Sequence, residues 1–310
     1  MKQFVFAVAS ILLLCLSLVV SMGTSFLSQS SSQKREVDWA KLNPAFAGAS
    51  FVGDKEVCMT CHQESVEKYE KTSHGRRFAL SSTGSLGAGN CESCHGPRSK
   101  HVEEADASLS LSVEQFSTVC MQCHEDGNRM YWQTSLHKTA DVGCVSCHTV
   151  MEKRSHTASL SKVNQFAVCS GCHTDVKMKM SRTSHHPVQE GKLDCSSCHD
   201  VHGSPSRVMM VGGTVNETCY SCHQDKRGPF LWEHPPTRED CLTCHEPHGS
   251  NNRNLLVTQS ASLCVGCHQY GGHVNQYRYN RVSTPYGNGC VNCHVTMHGS
   301  NHPSGAKFTR

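Results

Sequence analysis

The stretch 219–249, CYSCHQDKRGPFLWEHPPTREDCLTCHEPHG, contains the pattern on which this chain is built. Two cysteines separated by two residues precede a histidine at 219–223, and the same motif returns at 241–245. Two further histidines follow, His234 between the motifs and His248 shortly after the second one. The motif occurs ten times between residues 58 and 294 and takes up 20 of the 21 cysteines of the 310-residue chain. Motif spacing therefore decides the fold, in place of ordinary apolar periodicity.

The composition argues against a conventional hydrophobic core. Hydrophobic residues make up 37 % of the chain with cysteine included, and aromatic residues only 6 %. Disorder fits poorly, because disordered chains carry high charge and this chain has 18 % charged residues. The net charge of +3 gives no surface basic enough to hold a phosphate backbone, so no nucleic-acid partner is expected. Groups other than side chains must fill the interior.

Cys-x-x-Cys-His is the attachment pattern of c-type haem, in which two thiols form thioethers and the adjacent imidazole binds the iron. Four-cysteine zinc sites do not need a histidine after every pair, and disulfides across two-residue loops would add little stability. We therefore predict ten covalently bound haem c groups. The predicted thioether residues are Cys58, Cys61, Cys91, Cys94, Cys120, Cys123, Cys144, Cys147, Cys169, Cys172, Cys195, Cys198, Cys219, Cys222, Cys241, Cys244, Cys264, Cys267, Cys290 and Cys293. The predicted proximal iron ligands are His62, His95, His124, His148, His173, His199, His223, His245, His268 and His294.

The remaining histidines are spread almost evenly, about one for each motif. This regular placement favours bis-histidine ligation, with a second imidazole on the distal side of each iron. The distal candidates are His74, His101, His137, His156, His186, His202, His234, His248, His273 and His298. Spacing alone does not assign each candidate to a haem, since a distal ligand can belong to the preceding or the following motif.

The fourth motif departs from the pattern. His202 and His248 each follow a motif histidine by three residues, whereas the same position after His148 carries Met151. Methionine is the rival axial ligand and raises the reduction potential where it binds. For the fourth haem we favour His156 as the distal ligand and keep Met151 as the alternative.

The N-terminus predicts export. Residues 1–23 combine Lys2, an apolar run from Phe4 to Val20 and small residues near Gly23, as in a secretory signal peptide. A retained membrane anchor is the alternative, because the run is nearly long enough to span a bilayer. Residues 24–57 are predicted to form a flexible spacer, and 58–310 the decahaem domain. Export agrees with haem attachment, which takes place outside the bacterial cytoplasm.

The motifs also form a repeat. Every second motif begins at 58, 120, 169, 219 and 264, which predicts five dihaem repeats. Haems 1–5 fall in about 58–180 and haems 6–10 in about 181–310. Repeats that contact chiefly their neighbours give an elongated molecule. The predicted fold class is a multihaem cytochrome c with little regular secondary structure, in which short α-helices and loops wrap around a haem chain.

Two local helix signals stand out within this loop-rich chain. Ser112 and Gln115 form a capping-box pattern that predicts a helix leading into Cys120. The segment from Gln63 to Lys71 is predicted to form two helical turns after the first motif.

Three segments carry a resemblance to a known family. The run KRGPFLWEH at 226–234, the element PHGS at 247–250 and the ending HGSNHPSG at 298–305 resemble the MtrA/DmsE family of periplasmic decahaem cytochromes. The resemblance implies that the ten proximal histidines and most distal candidates bind iron. It also implies a chain that threads an outer-membrane β-barrel porin and passes electrons between periplasm and cell exterior. Implied partners are the porin, periplasmic electron-transfer proteins and an extracellular multihaem cytochrome or reductase.

Two other functions stay open from the sequence. One is a soluble periplasmic electron shuttle without a porin. The other is a multihaem reductase, which needs an open coordination site and is often marked by a Cys-x-x-Cys-Lys motif. The sequence has no such motif, so an electron-transfer protein, and not an enzyme, is expected.

Overall fold

Short helices joined by loops form the fold of the residues that the structure describes. The structure is a computed structural model, and it describes residues 37–80, 91–105, 110–268, 290–292, 294–303 and 305. The α-helices are Trp39–Leu42, Lys55–Glu70, Ser73–Ala79, Glu92–His95, Ser99–Glu104, Val113–Met121, Leu136–Thr139, Cys144–Cys147, Gln165–Cys169, Thr174–Met180, Val215–Tyr220, Pro235–Glu239 and Ser260–Val265. Short 3-10 helices are Pro44–Phe46, Gly127–Arg129, Trp132–Thr134, Cys195–Ser197, Gln224–Lys226, Cys241–Thr243, Arg253–Leu255 and Cys290–Asn292. The predicted fold class, short helices and loops with little regular structure, is confirmed.

Both predicted helix signals are confirmed. The Ser112 side chain accepts a hydrogen bond from the backbone N–H of Gln115, whose side chain accepts one from the Ser112 N–H, and the helix Val113–Met121 follows. The segment after the first motif belongs to the helix Lys55–Glu70, which is capped by Asp54 and bends at His62. Among the described helices, none has the length and hydropathy needed to cross a bilayer.

The largest apolar cluster lies near the beginning of the described chain. Phe46, Leu111 and Val119 are buried there, and Trp39 and Phe116 pack against them. The predicted flexible spacer, 24–57, is therefore wrong for its last part, because helices at Trp39–Leu42 and Pro44–Phe46 bury apolar side chains in this cluster. The predicted signal peptide, 1–23, lies outside the described residues.

Isolated β-bridges fasten the loops that follow the even-numbered motifs. His148 pairs with Leu160, His199 with Met210 and His245 with Leu256, so each loop returns to the motif that it leaves. Two further bridges, Ser184 with Ser250 and Trp232 with Ser300, join segments of consecutive repeats. The repeats are therefore tied to their neighbours by backbone hydrogen bonds as well as by side chains.

Candidate haem-binding sites

Each Cys-x-x-Cys-His motif folds into one tight turn. In nine motifs the backbone N–H of the histidine donates to the carbonyl of the first cysteine, at 2.8–3.1 Å, and the His62 motif lies inside a helix. This turn places two thiols and an imidazole on neighbouring positions, as haem attachment requires. No disulfide joins the described cysteines, and no group of three or more His, Cys, Asp or Glu side chains within the described residues has the geometry of a metal site.

Eight pairs of imidazole rings face each other, and each pair joins a motif histidine to a distal candidate. The ring centroids are 5.9–6.4 Å apart. The pairs are His62 with His101, His124 with His74, His148 with His202, His173 with His137, His199 with His248, His223 with His186, His245 with His298 and His268 with His234.

This separation fits one iron between the two rings. A bond between a metal and an imidazole nitrogen is about 2.0–2.1 Å long, so two opposed bonds place the nitrogens about 4 Å apart. The half-widths of the two rings bring the centroids to about 6 Å, close to the observed distances. Burial also lowers the pKa of His74, His202, His248 and His298, which favours the neutral imidazole that binds a metal.

Backbone carbonyls orient three of the motif histidines. The Nδ1 atoms of His148, His199 and His245 lie 2.7, 3.1 and 2.8 Å from carbonyl oxygens. The carbonyls belong to Ala158, Val208 and Asn254. A carbonyl only accepts, so Nδ1 must carry the proton and Nε2 keeps its lone pair for a metal.

Three distal candidates are oriented in the same way, but by the next repeat. The Nδ1 atoms of His137, His186 and His234 donate to carbonyl oxygens at 3.0, 2.9 and 3.0 Å. These carbonyls belong to Val201, Pro247 and Met297, which directly precede His202, His248 and His298. Each of these distal candidates is therefore hydrogen-bonded to the backbone that carries another distal candidate.

His74 is the exception in this series. It occupies the equivalent place in the first repeat and lies 5.9 Å from the motif histidine His124, yet its buried Nδ1 has no hydrogen-bond partner. The segment that would supply the carbonyl follows the fourth motif, where the sequence departs from the repeat at Met151.

The prediction for the fourth motif is corrected. The structure places His202, and neither His156 nor Met151, opposite His148, with the ring centroids 6.1 Å apart. The physical reason is an exchange of histidines between repeats: an even-numbered motif faces a histidine that follows the even motif of the next repeat. Spacing within one motif could not reveal this, although a histidine three or four positions after His199, His245 and His294 was the available signal.

Odd-numbered motifs follow the complementary rule. His124, His173, His223 and His268 each face a histidine from the repeat before them, namely His74, His137, His186 and His234. The first motif has no preceding repeat, and His62 faces His101 of its own repeat. His186 is therefore the paired member of the tandem histidines, while its neighbour His185 contacts the Arg182 carbonyl and the Glu190 carboxylate.

Two motif histidines fall outside these eight pairs. His95 lies edge-on to Phe116, with the centroids 6.0 Å apart, and burial together with Arg98 and His62 lowers its pKa to about 4. Phe116 is a site residue that the motif pattern did not identify. For the tenth motif, the candidate His273 and the thioether residue Cys293 lie outside the described residues.

The cysteines show that consecutive motifs are neighbours in space. Within each repeat the two first cysteines interact side chain to side chain: Cys58 with Cys91, Cys120 with Cys144, Cys169 with Cys195, Cys219 with Cys241 and Cys264 with Cys290. Between repeats the second cysteines interact electrostatically: Cys94 with Cys123, Cys147 with Cys172, Cys198 with Cys222 and Cys244 with Cys267. Every motif from the first to the tenth thus lies beside the next one.

Comparisons with known proteins agree with this arrangement. The family model for a doubled CXXCH motif matches residues 185–228 and 234–272, and the model for cytochrome c554 and c-prime matches residues 98–149. The fold and its paired histidines define a multihaem c-type cytochrome, which is an electron-transfer protein and not a substrate-converting enzyme.

Similar proteins identify the family within this class. The chain is 43 % identical over 270 residues to the multiheme cytochrome MtrA of Shewanella baltica (strain OS185), an alignment that covers 82 % of this chain and 80 % of the relative. The chain belongs to the MtrA family of multihaem cytochromes. It is also 24 % identical to the high-molecular-weight cytochrome c of Nitratidesulfovibrio vulgaris (strain Hildenborough), over 44 % of this chain and 24 % of that relative.

Proposed function

We propose that this chain binds ten haem c groups and conducts electrons along them between the periplasm and the cell exterior, inside an outer-membrane porin. The observation that carries the proposal is the unbroken order of the motifs, in which each attachment site lies beside the next. Electrons move quickly over long distances only by short hops between close cofactors. An uninterrupted series of sites supplies such hops along the whole described chain.

In this proposal each of the eight facing pairs would hold the iron of one haem. The ring centroids of each pair are about 6 Å apart. In six of the rings Nδ1 donates to a backbone carbonyl, which leaves Nε2 free to bind a metal. When bound, haem iron supplies reversible one-electron chemistry. An imidazole held on each side would leave no open position for a substrate. The site therefore supports electron transfer and not reduction of a bound oxyanion.

The length and the polarity of the electron path across the membrane support a porin partner. A bilayer with its headgroups is about 40–45 Å thick, and charged groups are expensive in its hydrocarbon core. Ten haems would add up to twenty propionates to a chain that already carries 55 Lys, Arg, Asp and Glu residues, the sum of 29 basic and 26 acidic ones. Such a surface needs a sheath with a polar lumen, which a large transmembrane β-barrel provides.

The remaining parts of the proposal concern location and partners. Residues 1–23 would direct the chain to the periplasm, where haem attachment takes place, and five dihaem repeats would run from residue 58 to 310. Periplasmic electron-transfer proteins would exchange electrons at one end. An extracellular multihaem cytochrome or reductase would exchange them at the other. Function in metal reduction or in iron(II) oxidation requires the same path in opposite directions.

Two measurements test the proposal. The mass of the mature holoprotein gives the number of attached haems, and we expect ten. Crosslinking in intact cells, followed by purification of the cytochrome from outer membranes, should recover a β-barrel protein in a constant ratio. A cytochrome that is released as a free monomer by osmotic shock, with no barrel crosslinked to it, would contradict the conduit and support a soluble periplasmic shuttle.

A further inference from the structure

The second haem is chemically distinct within the proposed series. This inference rests on the proposed haem sites and starts from the rule for even-numbered motifs. His148, His199 and His245 face His202, His248 and His298, each of which follows the even motif of the next repeat. By the same rule His95, in the second motif, should face the residue that follows the fourth motif.

The loop after the fourth motif has the same register as the loop after the sixth. Ser155 lies seven positions after His148, and Ser206 lies seven positions after His199. The two serines have the same role, because the Ser155 hydroxyl accepts from the Leu160 N–H at 2.9 Å and the Ser206 hydroxyl from the Met210 N–H at 2.5 Å. Leu160 and Met210 in turn form the equivalent β-bridges to His148 and His199. Met151 therefore takes the position of His202 with no gap between them.

The same register excludes His156. The fourth loop has one extra residue between Ser155 and Leu160, so the insertion comes after the matched serine. His156 directly follows that serine, as Arg207 follows Ser206, and both side chains are exposed. Its position corresponds to a solvent-facing residue of the sixth loop and not to a ligand.

The surroundings of His95 agree with this register. Within the described residues no imidazole faces His95 at the distance seen in the eight pairs, and its ring contact is with Phe116. Met151 is an apolar side chain with 37 % of its surface exposed. A haem face would cover it.

We propose that the sulfur of Met151 is the distal ligand of the second haem, which His95 binds on the proximal side. This gives one histidine–methionine haem in a series of bis-histidine haems. Thioether ligation raises the reduction potential. The second haem would then hold its electron more tightly than the first and third haems beside it, and would act as a local electron store near the N-terminal end of the path.

Glu152, the residue after Met151, explains why the first two repeats are joined differently from the later ones. In three other loops a glycine follows the distal histidine. A Cβ added at Gly203 would lie 2.6 Å from the Tyr131 carbonyl oxygen, and one added at Gly249 would lie 2.0 Å from the Lys179 carbonyl oxygen. Glu152 takes this position after Met151, so the fourth loop cannot approach the preceding segment as closely. The unsatisfied Nδ1 of His74 is the consequence that the structure records.

The test uses the full-length holoprotein and spectroscopy of its ferric and its reduced states. A methionine sulfur on low-spin ferric haem gives a weak charge-transfer band at the red end of the spectrum and a strongly shifted methyl resonance in the NMR spectrum of the reduced protein. We expect both signals in the unaltered protein, their loss in Met151→Leu with about one haem per chain becoming high-spin, and their loss without high-spin haem in Met151→His.

Two control variants sharpen the test. Met178→Leu, at an exposed position of the helix Thr174–Met180, should leave both signals unchanged, and so should His156→Ala. Loss of one low-spin haem in His156→Ala would overturn the proposal, as would the absence of both sulfur signals from a protein that carries ten haems. A holoprotein mass with fewer than ten haems would instead contradict the proposed function, so the two failures are distinguishable.

Discussion

Single histidines in this chain owe their role to a precise backbone partner. A ring nitrogen that donates to a carbonyl fixes which tautomer is present, and the opposite nitrogen then becomes the metal donor. The carbonyl that orients His199 belongs to its own repeat, and the carbonyl that orients His186 belongs to the next repeat. The affinity of each iron for its ligands is therefore set partly by main-chain atoms that no side-chain motif reveals.

The pairing of His148 with His202 can be tested at this scale. We expect His202→Ala to convert about one haem per chain from low-spin to high-spin, because the variant removes the ring 6.1 Å from His148. Electron paramagnetic resonance of the oxidised holoprotein measures this directly. His185→Ala is the matched control, since His185 contacts the Arg182 carbonyl and Glu190 and should leave the spectrum unchanged. A high-spin signal from the control, with none from His202→Ala, would contradict the pairing.

Sequence predicted the composition of these sites better than their connections. The motif alone identifies both thiols and the proximal ring, because those three groups are fixed by one helical turn. The distal partner comes from another repeat, as His202 does for His148, and no local pattern encodes contacts over that separation. The exception at Met151 was visible in the sequence, but its assignment to a particular haem needed the pairs of the later repeats.

At the level of elements, the loops after the even motifs are the joints between repeats. Gly249 has a φ of +145°, and its Cα lies so close to the preceding segment that a Cβ would be 2.0 Å from the Lys179 carbonyl oxygen. The same segment pairs through the bridge between Ser184 and Ser250 and through the hydrogen bond from His186 to the Pro247 carbonyl. Close approach of two backbones thus holds a distal ligand in place.

Gly249→Ala should destabilise this joint. Positive φ and overlap with the Lys179 carbonyl together are expected to cost about 2–5 kcal/mol. Gly213→Ala is the control: Gly213 also has a positive φ, +78°, but no atom lies within 4 Å of the added Cβ, so about 1 kcal/mol is expected. Denaturant unfolding followed by haem absorbance compares the two variants, and equal midpoints would contradict the importance of the close approach.

For the whole molecule, apolar side chains supply only a small interior. The buried hydrophobic residues among those described are Phe46, Val66, Leu111, Val119, Trp132, Leu160, Met180, Val188 and Met210. These are few for the part of the chain that the structure describes, and most of them lie outside the cluster around Phe46. Ordering so many residues costs far more conformational entropy than this burial offsets.

The protein without haem should therefore not fold. We expect a chain produced without the haem-attachment machinery to show the circular dichroism of an unfolded polypeptide and to be digested rapidly by protease. The holoprotein should resist protease and unfold in a sharp transition. A haem-free chain with the helical content and cooperative melting of the holoprotein would contradict this expectation.

The exchange of distal histidines between repeats has a consequence for how such chains grow. The third repeat gives His202 to the repeat before it and His186 to the repeat after it, and the fourth repeat gives His248 and His234 in the same way. A gene duplication can therefore lengthen the chain only by a complete unit, and haem number changes in steps of two. A single inserted motif would leave two irons competing for one ring. The first repeat follows another rule, since His62 faces His101 in its own repeat.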